Sequence, residues 1–436
     1  MSLNNSLTEI YTLFKSCSGI CTDTRKVTNG SIFFALKGDN FNGNKFAKQA
    51  LESGASFAVI DQKEFEEEGK TILVEDSLKT LQELANYHRK QFSIPFIGIT
   101  GSNGKTTSKE LISCVLKKKF KTHFTQGNLN NHIGVPLTLL SMPLDTEIAV
   151  IEMGANHVGE IEFLSTISDP THGLITNIGK AHLEGFGSLE GVARGKSELF
   201  KHLQNNNGVI FINGSSDALM RMASRFKNPL IYSQTDEKAY VFAKMVEIDP
   251  FIRFSYGSAN TNETQLVGSY NFENILSALA IGKFFGIESQ DAINAVCNYV
   301  PSNNRSQIIE KSGVKILLDA YNANPSSMVA AIENLNSLEH PKKIIVLGDM
   351  FELGVDSKLE HTNIYNKAIS QGFHACYFVG KYFKNALPKT KNVFDTKEEL
   401  VNELKRIDLK KSLLLIKGSR GIGLETILDK ILEQEK

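Results

Sequence analysis

The sequence has no tryptophan and no net charge, 48 Lys and Arg balancing 48 Asp and Glu over 436 residues. The missing tryptophan excludes no function. The missing charge argues against a general nucleic-acid or membrane-surface binder, which needs a basic excess, and leaves room only for a local basic pocket. No apolar stretch approaches the roughly 20 residues that a membrane-spanning helix requires. The longest runs, such as Leu413-Leu414-Leu415-Ile416, are strand-length. Residues 1–15 lack a basic stretch followed by an apolar one, so no signal peptide is expected. The five cysteines (Cys17, Cys21, Cys114, Cys297 and Cys376) are scattered, and Cys17 and Cys21 have no second pair to complete a zinc site. Free thiols in a reducing compartment are the expectation. There is no internal repeat and no low-complexity tract. What remains, 41% hydrophobic and 22% charged residues, is the composition of a soluble globular protein. The length predicts two to four domains.

What stands out is Thr100-Gly101-Ser102-Asn103-Gly104-Lys105-Thr106-Thr107, directly after the apolar run Ile94-Pro95-Phe96-Ile97-Gly98-Ile99. A strand entering a glycine turn and then a helix is the physical means of holding a nucleotide triphosphate. Glycines let backbone N–H groups approach the phosphates, and the helix N-terminus adds its dipole. Lys105 can neutralise the β and γ phosphates, and the Thr106 hydroxyl can ligate Mg²⁺. The spacing is a variant, T-G-x-x-G-K-T-T, with Ile99 where the strict motif places its first glycine. The bland alternative is a plain strand-to-helix turn with Lys105 solvated.

Three stretches organise the chain. Residues 1–90 mix short elements: strands at 31–36 and 55–60, helices at 46–53 and 76–89, the last with Leu78, Leu81, Leu84 and Ala85 on one face. From 91 to 303 strands (147–153, 173–178) alternate with helices (188–202, 271–285), while 240–256 and 263–267 read as antiparallel strands. This predicts a largely parallel sheet covered by helices, with an antiparallel addition. After the turn-rich Pro301-Ser302-Asn303-Asn304 the alternation restarts. Strands are predicted at 314–318, 343–347, 375–379 and 412–416, with helices beginning near Pro325, Leu359, Lys397 and Gly421. This is a smaller doubly wound unit whose ligands bind at the carboxyl ends of its strands.

Several polar clusters accompany the loop. Glu152 ends a strand beside it, where a carboxylate can be either a second Mg²⁺ ligand or merely solvated. His182, in a glycine-rich loop, is by itself an ordinary hydrogen-bonded histidine or a metal ligand. Lys196 by itself reads as an exposed helix lysine. The amide-rich Gly127-Asn128-Leu129-Asn130-Asn131-His132 can hydrogen-bond substrate oxygens without adding charge. In the third unit, strands end in Asp319-Ala320-Tyr321-Asn322-Ala323-Asn324, Gly348-Asp349-Met350-Phe351-Glu352 and Lys417-Gly418-Ser419-Arg420. Each could be capping chemistry alone. Together, at one end of one sheet, they predict a site.

Taken together these motifs resemble the Mur ligase family, the ATP-dependent amide-forming enzymes of cytoplasmic peptidoglycan synthesis. The variant loop has the family's form. The other markers run the length of the chain: T-D-T-R-K from Thr22, A-L-K-G-D from Ala35, G-N-L-N-N-H-I-G-V-P from Gly127, E-M-G-A-N-H-V-G-E-I from Glu152, A-H-L-E-G-F-G-S from Ala181, Y-N-A-N-P-S-S-M from Tyr321, L-G-D-M-F-E-L-G from Leu347 and K-G-S-R from Lys417.

The resemblance implies an α/β protein of three domains. They are a small UDP-sugar-binding α/β domain (1–90), a central P-loop ATP-binding domain with a mostly parallel sheet (91–303) and a C-terminal Rossmann-like doubly wound domain (304–436). It implies ATP and Mg²⁺ as cofactors, and Gly101, Ser102, Asn103, Gly104, Lys105, Thr106, Thr107, Asn271, Asn274, Arg305 and Asp319 as nucleotide contacts. Thr106, Glu152, His182 and a carbamoylated Lys196 are the implied metal ligands, with Lys105, Lys196 and His182 catalytic. Thr24, Arg25, Lys37, Gly38, Asn130, Asn131, Tyr321, Asn322, Asn324 and Arg420 are the implied substrate contacts. Tyr270 stands where the family often carries His. The implied reaction joins D-alanyl-D-alanine to UDP-N-acetylmuramoyl-tripeptide through an acyl phosphate, in the cytoplasm. A monomer that uses neither nucleic acid nor membrane insertion is expected. The ligase that adds the third amino acid is the nearest rival, but it would carry a D-N-P-R type motif where Y-N-A-N-P stands. A folate polyglutamate ligase would lack the N-terminal unit. A non-ligating P-loop ATPase would not need the strand-end clusters.

Overall fold

The computed structural model describes residues 6–257, 260–302 and 304–432. The first residues of the chain, and Asn303 of the expected junction, fall outside them. Three parallel or mostly parallel sheets follow one another along the chain. The first has four strands in the order Ile20–Cys21, Ile32–Phe34, Phe57–Ile60 and Thr71–Leu73, all parallel. Helix Ser77–Arg89, capped by the Asp76 carboxylate on the Lys79 N–H, carries the chain out of this unit. The first helix, Leu7–Ser16, is set by a capping box between Ser6 and Glu9 that was legible as S-x-x-E but not part of the expectation.

The second sheet has seven parallel strands, with Phe96–Thr100 between His172–Ile175 and Ile148–Glu152. Phe96–Thr100 is buried along its whole length, as a strand covered by helices on both faces must be. The expected antiparallel stretch at 240–256 is in fact three elements. Val241–Phe242 completes the parallel sheet, and Lys244–Ile248 and Phe251–Ser255 form a hairpin that Asn262–Val267 extends. Pro250 breaks the run, because it cannot donate to a ladder.

The third sheet places Leu413–Lys417 between Val314–Asp319 and Lys343–Gly348, all parallel, so their carboxyl ends meet. Gln307–Lys311 adds an antiparallel edge. The helix expected near Gly421 begins only at Ile427, after two short 3-10 turns. Gly423 at φ 63° occupies the left-handed region between those turns and interrupts any helix there.

The joints between units differ in kind. Arg89, at the end of its helix and 5% exposed, lies over the Phe96 ring at 3.7 Å from its centroid. It donates to the carbonyls of Ser168 (2.9 Å), Asp169 (2.7 Å) and Phe92 (3.1 Å). The third unit is instead held to the second by scattered polar pairs: Asn324 Nδ2 donates to Asn103 Oδ1 in the glycine loop at 2.8 Å, and the loop at 180–184 supplies others. The Lys180 ammonium meets Glu360 at 2.6 Å and the Lys180 N–H meets Ser326 Oγ at 2.9 Å. His182 Nδ1 pairs with the Glu352 carboxylate, and the Glu184 N–H bonds the Glu352 carbonyl at 3.1 Å. Among the described residues no helix is long and apolar enough to cross a membrane.

Candidate active site

The glycine loop is braced before anything binds to it. The Asn103 N–H donates to Asn177 Oδ1 (2.9 Å), Ser102 Oγ to the Gly179 carbonyl (3.0 Å) and Thr176 Oγ1 to the Asn103 carbonyl (2.6 Å). Gly104 opens helix Lys105–Leu116 at φ 77°, and a Cβ there would lie 2.5 Å from Asn274 Oδ1. Glycine is required on both counts. Asn274 is fixed by Ser108 Oγ (2.9 Å) and by its own bond to Asn271 Oδ1 (2.9 Å), so helix Tyr270–Phe284 abuts the loop.

A cavity of about 620 Å³ lies between this loop and the strand ends of the third unit. Its wall brings together Ser102, Asn103, Gly104, Lys105, Thr106, Thr107, Asn130, Asn131, Glu152, His182, Asn271, Asn274, Arg305, Asp319, Tyr321, Asn322, Asn324 and Arg420. Of the residues predicted from sequence, Gly101 and Lys196 do not line it, and Thr24, Arg25, Lys37 and Gly38 stand in the first unit, away from it. Arg25 is bound bidentately to Asp23, which holds that carboxyl down at about 2. Lys37 pairs with the buried Asp61 at 3.1 Å.

Charge inside the cavity is arranged around Glu152. Its Oε1 accepts from Asn130 Nδ2 (2.7 Å) and from Thr106 Oγ1 (3.2 Å), while its Oε2 is buried with no hydrogen-bond partner. Facing that oxygen at 3.9 Å is the Lys109 ammonium, 1% exposed and itself without a hydrogen bond. Burial pushes the Lys109 pKa down, against the pull of Glu152 and Glu110. Sequence reasoning missed Lys109, although four residues after Lys105 it shares that residue's helix face. Lys105 Nζ donates to the carbonyls of Gly101 (2.7 Å) and Ser102 (3.3 Å), and burial lowers its pKa while Glu152 opposes the shift.

Lys196 corrects its own stand-alone reading. It is 1% exposed, not a surface lysine, and among the described residues Nζ donates only to the Ala155 carbonyl at 3.1 Å. Burial first, then the charge of Lys105, drives its pKa well below the ordinary lysine value. Asp319 is engaged by Lys417 at 2.6 Å, and Arg305 lies 3.6 Å over the Tyr321 ring. The Gly348–Glu352 cluster is split between two tasks. Asp349 accepts the N–H groups of Tyr382 and Phe383 at a helix start, which is capping, and Glu352 reaches His182.

The oxygens of Thr106 and Glu152 fit Mg²⁺, a hard cation that takes one or two protein oxygens and completes its shell with phosphates and water. The unpartnered Glu152 Oε2 is the clearest sign. Among the described residues no three His, Cys, Asp or Glu side chains converge to form a metal cage.

Profiles of the Mur ligase catalytic, middle and glutamate ligase domains match residues 16–89, 99–282 and 304–420. A UDP-N-acetylmuramoyl-tripeptide–D-alanyl-D-alanine ligase of Bacillus subtilis (strain 168) is 36% identical over 428 residues, covering 95% of this chain and 93% of its own. The chain belongs to the Mur ligase family. MurF from Acinetobacter baumannii superposes with a TM-score of 0.85 at 30% identity, covering 97% of this chain and 98% of its own. The MurF ligase of Thermotoga maritima, solved in complex with ADP, gives 0.84 at 28% identity, covering 96% and 97%. As a Mur ligase the protein is an ATP-dependent ligase that works with Mg²⁺. The three-unit α/β architecture expected from sequence is the family's own.

Proposed function

We propose that this Mur ligase joins D-alanyl-D-alanine to UDP-N-acetylmuramoyl-tripeptide, with domains at 1–90, 91–303 and 304–436. The observation that carries the reading is the cleft itself. A braced phosphate loop faces Asp319, Tyr321, Asn322, Asn324 and Arg420 from the strand ends of the third sheet. The full-length likeness to a relative named for this reaction supports it. Five free thiols support a cytoplasmic setting.

A carboxylate is a poor electrophile, so the reaction must first activate it. The terminal carboxylate of the tripeptide attacks the γ-phosphorus of ATP, giving an acyl phosphate and ADP. The amine of the dipeptide then attacks the acyl carbon, and the tetrahedral species expels phosphate and loses a proton. Two anions meet in the first step. Lys105 and the N–H groups at the start of helix Lys105–Leu116 offset that charge. Thr106 and Glu152 would hold Mg²⁺, which would supply further neutralisation of the phosphate charge. Asn271 and Asn274 flank the nucleotide from the helix that abuts the loop, with Arg305 and Asp319 on the opposite wall. His182 and a carbamoylated Lys196 are the further metal ligands in this reading. A buried amine of depressed pKa is the form that captures CO₂. The joint at Lys180 and His182 keeps water from the acyl phosphate. Thr24, Arg25, Lys37 and Gly38 would meet the UDP-sugar, with Asn130 and Asn131 nearer the peptide.

The test is phosphate release with ATP, Mg²⁺, D-alanyl-D-alanine and either UDP-N-acetylmuramoyl-dipeptide or the tripeptide, with product mass determined. Release that requires both tripeptide and D-alanyl-D-alanine, with a pentapeptide product, is expected. Turnover of the dipeptide with a single diamino acid would move the chain to the neighbouring ligase.

A further inference from the structure

Two loops from different units meet at His182. Its side chain lies in the wall of the large cavity, and its Nδ1 is turned to the Glu352 carboxylate of the third unit. The backbones meet as well, the Glu184 N–H donating to the Glu352 carbonyl at 3.1 Å. Both residues stand in the left-handed region, His182 at φ 52° and Glu352 at φ 60°, which a residue with a side chain seldom occupies. Such conformations cost energy and persist only where the surroundings hold them. The pair is open to water, with the histidine side chain 20% exposed and the carboxylate 49% exposed, so as an ion pair it adds little to the hold between the units. What it fixes is the ring. A carboxylate accepts and does not donate, so the proton of the neutral imidazole sits on Nδ1, and Nε2 keeps its lone pair. Among the described residues Nδ1 is the only His182 side-chain atom in a hydrogen bond.

We infer that Glu352 is a positioning residue for the metal site: the third unit supplies the carboxylate that turns the His182 ring and fixes its proton, leaving Nε2 free for Mg²⁺. An unrestrained neutral imidazole favours the opposite tautomer, with the proton on Nε2, and a protonated nitrogen has no lone pair for a cation. Metal-ligating histidines ordinarily donate their second N–H to such a carboxylate, and its loss costs about 10- to 100-fold in metal affinity. Here the carboxylate comes from 170 residues along the chain and from another unit. His182 is therefore set for a metal only while the third unit stands against the second. The inference rests on the proposed role of His182 as a metal ligand and adds the group that orients it.

The test reads the ring before any metal is added, in the full chain with ¹⁵N-labelled histidine and saturating ADP. At about pH 8, above the ordinary histidine pKa of about 6.5, the His182 resonances, assigned by their loss in His182→Gln, should show a protonated Nδ1 and an unprotonated Nε2. In Glu352→Ala the proton should move to Nε2. Mn²⁺, a paramagnetic stand-in for Mg²⁺ titrated by electron paramagnetic resonance at saturating ADP, should bind Glu352→Ala about tenfold or more weakly than wild type. Glu360→Gln breaks a neighbouring contact between the same two units and should lose much less Mn²⁺ affinity. A wild-type ring protonated on Nε2, or on both nitrogens, overturns the inference without recourse to any effect of Glu352→Ala. Wild-type Mn²⁺ affinity in Glu352→Ala also overturns it, and so does an equal loss in Glu360→Gln, which makes the contact a fastener alone. If His182→Gln binds Mn²⁺ as the wild type does, the ligand role of His182 falls and the inference with it. Weakened binding in His182→Gln beside unchanged binding in Glu352→Ala overturns the inference and leaves the ligand role standing.

Discussion

The contact between Lys180 and Glu360 sets a measurable part of the free energy that brings the third unit against the second. The two charges are 2.6 Å apart, with the lysine side chain 49% exposed and the carboxylate 7% exposed. Half-exposed pairs of this kind are screened, and about 1 kcal/mol is the appropriate magnitude. The nucleotide cleft takes walls from both units, so nucleotide binds the closed arrangement. Weakening closure by about 1 kcal/mol therefore lowers nucleotide affinity by roughly fivefold. Glu360→Gln and Lys180→Met should each show this loss in calorimetric titration with ADP and Mg²⁺. The double variant should lose little more than either alone, a coupling of about 1 kcal/mol. In 1 M salt, where the Debye length falls to about 3 Å, that coupling should shrink. Strictly additive losses in the two single variants, or a coupling unchanged by salt, would refute the reasoning.

Three further outcomes are expected. Lys196→Ala should be inactive and partly rescued by short carboxylic acids that replace a carbamate; full activity without rescue removes the carbamate from the mechanism. Arg89→Met should destabilise the protein by about 3 kcal/mol, since three carbonyls lose a charged donor, and a urea titration that matches wild type would contradict this. Asp349 is buried and its carboxyl is pushed from 3.8 up to about 6. The folded state thus binds the proton more tightly than the unfolded one, so its contribution is fully present below 3.8 and lost as pH rises through about 6. The thermal midpoint of wild type relative to Asp349→Asn should fall between pH 4 and pH 7, and a rise would be the wrong sign.

The parts of the site that were legible in the sequence are those defined by local geometry. The glycine spacing from Gly101 to Lys105 and the strand-end position of Glu152 both depend on neighbours a few residues away. The parts that were not legible are pairings across the chain. Nothing near Glu352 announces that its carboxylate meets His182, 170 residues earlier. Lys109 shows its importance only when a strand from elsewhere puts Glu152 beside it. Lys196 is a different case. Val192, Leu199 and Leu203, all buried, share its helix face at helical spacing, so its burial was written in the periodicity. The charge of its type masked that signal. Asp349 shows the converse, a conspicuous acidic strand end whose oxygens serve a neighbouring helix.

The two joints of the molecule answer to different solvents. Arg89, packed on Phe96 and bonded to three carbonyls, is shielded from ions, whereas Lys180 reaches its buried partner Glu360 from a half-exposed position. Ionic strength thus loosens one seam and leaves the other intact. The seam between the first two units is dry and built on a buried guanidinium, and the seam between the second and third runs through a side chain that solvent reaches. The composition of the surrounding electrolyte therefore acts on the wall between the second and third units without touching a catalytic atom.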